Sequence, residues 1–278
     1  MTPDAEELQA RAEFYLCLAH AFLTPNSEAA WQGLRDALAD DLEDLAEILG
    51  HDIASHIANY RAAIDAIPDQ ATLLQIYSGL FLAPPRPVSI NTGVYLDGAL
   101  NGGSVLAMEE SYRQNGLERS GEFLDLSDHL SIQLEFVASL LLARQDSTGA
   151  AEDDDAERFL ATFVARWLPP FIADLEAAGR NPNPWLHLAR AMSVAVLREA
   201  RAEAVAPSLL RQQNAIGKAR HERAVAGVSE ADMAFITERL REKGLATDHL
   251  AIPHDQRDEA RGLSRKAPLS PRRGSRLG

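Results

Sequence analysis

Hydrophobic residues recur every three or four positions through the first eighty residues, which is the spacing of one face of an α-helix. The pattern predicts four amphipathic helices, whose apolar positions run over 8–22, 31–49, 53–67 and 73–81. Pro25, Gly50 and Pro68 end the first three runs, and Asp69 is placed to cap the fourth. Because the connections are short, these helices favour an antiparallel bundle.

The periodicity stops at residues 83–103, which predict a hinge. Residues 83–93 contain three prolines and a glycine, and proline lacks a backbone N–H and disfavours helix in the residue before it. The glycines of Tyr95-Leu96-Asp97-Gly98 and Asn101-Gly102-Gly103 predict turns. The expected organisation is an N-terminal part over 1–82, this hinge, and a C-terminal part over 104–205.

Helical spacing returns after the hinge. Ser104 is predicted to cap a short helix, Ser127 a long one, and Asn183 the last one. Pro169-Pro170 is expected to bend or break the helix in which it lies. No run alternates β-branched and polar residues, so the predicted fold class is all-α: a single helical-bundle domain of about 8–10 helices with an internal proline-rich hinge.

Residues 206–278 differ from the rest of the chain. Ser229-Glu-Ala-Asp232 resembles a capping box, and the apolar residues after it predict one helix over 229–243. Beyond about Ile252 the chain is rich in Arg, Pro, Ser and Gly, a composition typical of disorder. We therefore expect a C-terminal extension with one helix and a disordered basic end.

Charge is distributed unevenly along the chain. Residues 1–205 carry 13 arginines and no lysine against 32 acidic residues, a net charge of −19, whereas residues 206–278 carry +5. An acidic body repels nucleic acid and anionic membranes and attracts a basic partner, although a merely solubilising surface is an alternative. With no signal peptide and no apolar run long enough to span a bilayer, we expect a soluble cytoplasmic protein.

The start of the long helix carries the candidate chemistry. Asp128 is placed where the helix dipole favours negative charge, and His129 is next to it. Glu135 follows seven residues after Asp128, which predicts two carboxylates near one stripe of the helix. Simple capping of the helix explains the same residues.

Signatures of catalysis are lacking in the sequence. It contains no P-loop, no GxGxxG after a strand, no HExxH and no GxSxG. The eight histidines are scattered and predict no metal site, and the single cysteine, Cys17, predicts a buried inert thiol. We therefore expect no catalytic residues and no bound metal, and do not expect an enzyme.

Five segments occur in an order that is similar to a known family. They are Tyr77-Ser-Gly-Leu-Phe81, the proline-rich segment, Tyr95-Leu96-Asp97-Gly98, Asp128-His129-Leu130 and Leu134-Glu135-Phe136. Over roughly residues 10–200 the chain resembles the TorD/DmsD and NarJ-like cytoplasmic chaperones of molybdoenzymes. The resemblance implies an all-helical protein that binds the twin-arginine signal peptide of a redox enzyme and holds that enzyme for insertion of its molybdenum cofactor before export.

The resemblance also implies partners and cofactors. The expected partners are the twin-arginine leader and the body of a molybdoenzyme, without nucleic acid and without stable membrane insertion. A proline-rich hinge permits a monomer or a domain-exchanged dimer. No cofactor is expected, apart from the weak guanine nucleotide binding that some family members show.

With this resemblance, seven residues become candidates for peptide binding: Asp128, His129, Glu135, Leu80, Phe81, Tyr95 and Leu96. The two carboxylates would bind the arginines of the leader, bidentately where geometry allows, and the apolar residues would line a groove for the stretch that follows. Two alternatives stay open. One is a helical adaptor for another basic protein segment, and the other is a small-molecule enzyme that uses Asp128, His129 and Glu135 as acid–base groups.

Overall fold

The computed structural model describes residues 5–84, 87–100, 102–117, 126–146 and 155–200, and within them it contains helices and no β-strand. The α-helices are α1 (Ala5–Ala21), α2 (Glu28–Gln32), α3 (Leu38–Leu49), α4 (Ala54–Asp65), α5 (Gln70–Tyr77), α6 (Thr92–Asp97), α7 (Gly103–Gln114), α8 (Leu130–Asp146), α9 (Asp155–Phe159), α10 (Ala165–Ala177) and α11 (Pro184–Glu199). The all-α prediction is confirmed.

Three π-helical turns continue neighbouring α-helices. Gly33–Ala37 joins α2 to α3, Ser78–Leu82 extends α5, and Leu160–Val164 joins α9 to α10. The described part of the chain therefore forms nine continuous helices, in agreement with the predicted number. A π turn is wider than an α turn and often lies at a functional site.

Several helix boundaries follow from the local chemistry that the sequence predicts. Gly50 ends α3 with φ +63°, a left-handed conformation that glycine adopts without a steric penalty. The carboxylate of Asp69 accepts a hydrogen bond from the backbone N–H of Thr72 at the start of α5. The side chain of Asn183 does the same for Leu186 in α11. These predicted ends are confirmed.

Other boundaries differ from the prediction. Residues 92–97 form the short helix α6 where turns were expected. Ser104 lies inside α7, whose first N–H groups are capped by another residue, as described below. Pro169 and Pro170 lie within the continuous helix α10 and do not break it. They come just after the π turn Leu160–Val164, where the hydrogen-bond register has already changed.

One hydrophobic core extends across the proline-rich segment. Helix α1 packs chiefly against α8 and also against α3, whereas α11 packs against α4 and α10. Helices from before and after residues 83–103 therefore share one core. The boundaries proposed for the N-terminal part, the hinge and the C-terminal part stay predictions. The predicted helix 229–243 and the basic end lie outside the described residues.

A buried ionic cluster connects both ends of the described chain. The guanidinium of Arg11 in α1 lies 2.9 Å from carboxylate oxygens of both Glu157 and Glu199. Glu199, the last residue of α11, also accepts a hydrogen bond from the hydroxyl of Tyr15 and lies 3.2 Å from Nε2 of His51. Burial alone would raise the pKa of Glu199, but the contacts with His51, Arg11 and Tyr15 outweigh it and lower the pKa.

Candidate functional site

The segment before α6 pairs with the start of α8. The backbone N–H of Thr92 donates to the carbonyl oxygen of Asp128 at 3.1 Å, and the N–H of Leu130 donates to the carbonyl oxygen of Ile90 at the same distance. These two bonds make an isolated antiparallel bridge between Asn91 and His129. We call this region, residues 88–97 with 126–133, the α6–α8 junction.

Asp128 is the centre of the junction. Its carboxylate is completely buried; Oδ2 accepts a hydrogen bond of 2.7 Å from the backbone N–H of Gly93, and Oδ1 accepts one of 3.1 Å from the side-chain amide of Asn91. Gly93 is the second residue of α6, and Asn91, the residue at its N-cap, makes no capping bond with its own side chain. Asp128 therefore caps α6 from 35 residues further along the chain. Its negative charge also lies at the favourable end of the helix dipole.

Gly93 leaves the space that this arrangement needs. A Cβ at this position would lie 2.8 Å from the carbonyl oxygen of Ala99, 2.9 Å from Cγ2 of Val105 and 3.0 Å from Oδ2 of Asp128. Real Cβ atoms are not found so close to backbone oxygen, and only glycine fits here without movement of its neighbours. The position admits no side chain because three segments meet around it.

His129 caps α8 in place of the predicted Ser127. The Nδ1 atom of the buried His129 ring accepts a hydrogen bond of 3.2 Å from the N–H of Ser131, and its carbonyl oxygen accepts one of 3.3 Å from the N–H of Gln133. The hydroxyl of Ser127 instead donates to Glu109 at 2.6 Å. The prediction that Ser127 caps α8 is wrong, because Asp128 and His129 pair with the chain before α6 and the helix begins only at Leu130.

Gln133 and Thr92 complete the buried network, and sequence reasoning missed both. The side-chain amide of Gln133 donates to the hydroxyl of Thr92 at 2.5 Å and to the carbonyl oxygen of Asp128 at 2.8 Å, and both side chains are fully buried. The available signal was a glutamine within the apolar run of α8, between Ile132 and Leu134. A polar residue on a buried face needs a partner.

The same method of capping recurs between α6 and α7. The carboxylate of Asp97, at the end of α6, accepts bonds from the N–H and the hydroxyl of Ser104 at 3.0 and 2.5 Å. Gly102 is the N-cap residue of α7, and a Cβ there would overlap Asp97. Tyr95-Leu96-Asp97-Gly98 and Asp128-His129-Leu130, two segments of the family resemblance, thus both connect helices in the interior.

The other candidate residues do not form an open groove with Asp128. Leu80 and Phe81 belong to the core and are 0 % and 2 % exposed. The half-buried ring of Tyr95 stacks on Trp167 at 5.5 Å, and its hydroxyl donates to Asp174 at 2.9 Å; burial and then this bond raise the pKa of Tyr95. Leu96 is half-buried.

Glu135 is exposed on α8, and it does not share a stripe with Asp128, which lies before the helix begins. The prediction that both carboxylates lie near one stripe of the helix is therefore wrong. Asp128 and His129 are 0 % and 3 % exposed, so in this structure neither is open to a substrate in the way that acid–base catalysis requires. The contacts of the seven candidate residues with a peptide stay a prediction.

Among the recesses on the surface of the described residues, two combine apolar and acidic side chains. The α1–α3 recess, of about 420 Å³, lies between the end of α1, the loop after it and the helix from α2 to α3, and it is lined by Cys17, His20, Leu23, Gly33, Leu34 and Asp41 among others. The α7–α10 recess, of about 350 Å³, lies between α7, α8 and the helix from α9 to α10, and it is lined by Glu110, Phe136, Leu140, Asp155, Phe159 and Phe163 among others. Both combine apolar side chains with carboxylates.

The carboxylates of the two recesses differ in their partners. In the α7–α10 recess, Glu110 lies 2.6 Å from the guanidinium of Arg113, and Asp155 pairs with Arg158. In the α1–α3 recess, Asp41 is exposed and makes no ion pair with an arginine of the described residues. Within those residues, no group of three or more His, Cys, Asp or Glu side chains is arranged to hold a metal ion.

Comparison with known proteins adds the family. The model of the nitrate reductase delta subunit family matches residues 23–173, more than half of the chain. The chain belongs to this family. It is thus a redox enzyme maturation chaperone, as the resemblance to TorD/DmsD and NarJ-like proteins predicts, and the family is one of chaperones rather than enzymes.

A solved structure described as a redox enzyme maturation protein from Archaeoglobus fulgidus is also similar. Its sequence is 20 % identical, the TM-score is 0.39, and the match covers 66 % of this chain and 91 % of that one. None of the helices in the described ranges is long and apolar enough to cross a membrane.

Proposed function

We propose that this chaperone binds the twin-arginine leader of a molybdoenzyme and holds that enzyme until its molybdenum cofactor is inserted before export. Membership of a family of redox enzyme maturation chaperones carries the proposal. The charge of the chain supports it, because residues 1–205 have a net charge of −19 and no lysine. A leader with two adjacent guanidinium groups is attracted to such a surface.

Besides negative charge for its arginines, a leader needs an apolar surface to bind to, and the described residues provide one. The stretch that follows the two arginines is hydrophobic, and its burial is the main source of favourable binding energy. Each of the two recesses has a volume in the range typical of ligand pockets. The chaperone therefore offers attraction over a distance and apolar contact at short range.

Isothermal titration calorimetry with leader peptides tests the proposal. The probes are synthetic peptides with the first thirty or so residues of the host's molybdoenzymes, each paired with a peptide in which both arginines are glutamine. We expect at least one leader to bind with micromolar affinity or better, and its glutamine version to bind about tenfold more weakly, with a difference that shrinks as salt is raised. Equal binding of both versions would favour an adaptor for other segments, and the absence of binding by every leader would refute the proposal.

The remaining expectations about partners belong to this proposal. The chaperone is proposed to act in the cytoplasm, as a monomer or a domain-exchanged dimer, on the body of the client as well as its leader. It is proposed to need no cofactor of its own. Copurification from the native host, followed by mass spectrometry of the bound protein, would identify the client.

A further inference from the structure

The α1–α3 recess combines an apolar interior with an acidic edge. Leu23 and Leu34 contribute apolar walls, and Asp41 lies exposed at the edge. Burial raises the pKa of the Cys17 thiol in the recess to about 11, and the charges of Asp41 and Glu13 add to this effect. Of these two carboxylates, only that of Asp41 lines the recess.

Charge distinguishes the α1–α3 recess from the α7–α10 recess. The carboxylates of the α7–α10 recess already pair with Arg113 and Arg158, so they offer little attraction to another cation. The α1–α3 recess is lined by no arginine or lysine, and Asp41 has no ion pair with an arginine of the described chain. A ligand that is both apolar and cationic is therefore complementary to the α1–α3 recess.

One wall of the recess is the π-helical turn Gly33–Ala37. A Cβ built on Gly33 would meet no atom within 4 Å, and its φ of −59° is an ordinary helical value. Glycine is thus not required at this position by strain or by crowding, in contrast to Gly93. Its absent side chain leaves the recess open.

We propose that the α1–α3 recess binds the apolar stretch of the leader, with the leader's arginines next to Asp41. This inference rests on the proposed function, since it assigns a place on the chaperone to the leader that the function requires. It assigns binding to residues that belong to none of the segments of the family resemblance.

Filling the recess tests the apolar half of the inference. Gly33→Phe places a ring where the structure has open space, and Gln32→Phe, on the neighbouring exposed residue that does not line the recess, is the matched control. For a leader that binds the wild type, we expect Gly33→Phe to weaken the affinity at least about tenfold and Gln32→Phe less than about twofold. Circular dichroism checks that both variants keep the helical content of the wild type.

Removing one charge tests the acidic half. Asp41→Asn and Asp44→Asn change the net charge equally on the same helix, but only Asp41 lines the recess. We expect Asp41→Asn to weaken leader binding about threefold to fivefold at low salt and Asp44→Asn less than about twofold.

Cys17, the single cysteine of the chain, reports occupancy directly because it lines the recess. Saturating leader is expected to slow alkylation of Cys17 by iodoacetamide at least about fivefold. If the wild type binds a leader while Gly33→Phe binds it equally well and Cys17 is not protected, the inference is wrong and the proposed function stands. If the wild type binds no leader, the proposed function fails and the inference fails with it.

Discussion

The α6–α8 junction and the α1–α3 recess differ in the environment of their carboxylates. In the junction, the carboxylate of Asp128 is fully buried and both oxygens accept hydrogen bonds from the chain itself. In the recess, the carboxylate of Asp41 is exposed at the edge of an apolar hollow and pairs with no arginine of the described residues. The first is satisfied internally, and the second is available to a partner.

This contrast shows that a recognisable segment need not be a binding site. Asp128-His129-Leu130 is the strongest point of resemblance to the family, and the structure uses it to hold two helices together. A buried carboxylate with two donors is tied to its position, because removing it leaves those donors without partners. A surface that binds a flexible leader needs only apolar area and charge, which many residues can supply.

Asp128→Ala is expected to have the largest effect on stability. The change leaves the N–H of Gly93 and the amide of Asn91 buried without their acceptor, so the free energy of unfolding should fall by about 3 kcal/mol. Urea unfolding followed by circular dichroism measures this, with exposed Glu135→Ala, expected to cost less than about 0.5 kcal/mol, as the control.

The same variant also tests the peptide contacts predicted from the sequence. Titration of the folded Asp128→Ala chain with a leader is expected to give an affinity within about twofold of the wild type. A variant as stable as the wild type that had lost leader binding would reverse the contrast and make Asp128 a contact residue.

Gly93→Ala should have the next largest effect. The added methyl group would approach the carbonyl oxygen of Ala99 to 2.8 Å and disturb the capping carboxylate, at a cost of about 2 kcal/mol in the free energy of unfolding. Thermal unfolding by calorimetry provides the measurement. An unchanged melting temperature would show that the junction is looser than the described contacts imply.

Gly33→Ala should have the opposite sign. Because a Cβ at this helical position meets no atom within 4 Å, alanine should raise the free energy of unfolding by about 0.5–1 kcal/mol through its higher helix propensity. Comparison with Gly93→Ala in the same assay separates a glycine required by packing from one that leaves a surface open. A loss of stability in Gly33→Ala would contradict the open geometry of the recess.

The smallest effect concerns the thiol of the recess. Since burial holds the pKa of Cys17 at about 11, its alkylation rate should rise about tenfold for each pH unit between 8 and 10, in step with the thiolate fraction. Asp41→Asn removes a negative charge that opposes the thiolate, so it should lower the pKa and speed alkylation about twofold. Asp44→Asn should leave the rate unchanged, and a rate that reaches half of its maximum near pH 8.5 would show that the pKa of the thiol is not raised.

The sequence predicts most of the helices because their signal is local. Periodic apolar residues, Gly50 and the caps Asp69 and Asn183 act within a few residues of the ends they define. Helix α6 is different, since its cap comes from Asp128, 35 residues away. A prediction that uses only neighbouring residues therefore assigns turns to residues 92–97.

The candidate site could be predicted only in part. Asp128 and His129 were recognised, but a sequence does not show whether a polar side chain faces solvent or buried donors, and both are buried. Cys17 was expected to be buried, whereas it is partly buried and lines a recess. That recess depends on how α1 packs beside α3, which the sequence does not show. Gly33 lines it, but a glycine within a helical stretch does not by itself indicate a surface recess.

The distant cap of α6 has a consequence for synthesis on the ribosome. A helix of six residues is not stable by itself, so residues 92–97 can take their final form only after Asp128 has left the exit tunnel. Helix α1 waits longer still for α8, its main packing partner, because α8 lies much further along the chain from α1 than Asp128 does from α6. At the usual pace of translation the interval between residues 97 and 128 lasts a few seconds, and for longer than that the face of α1 that packs against α8 has no partner.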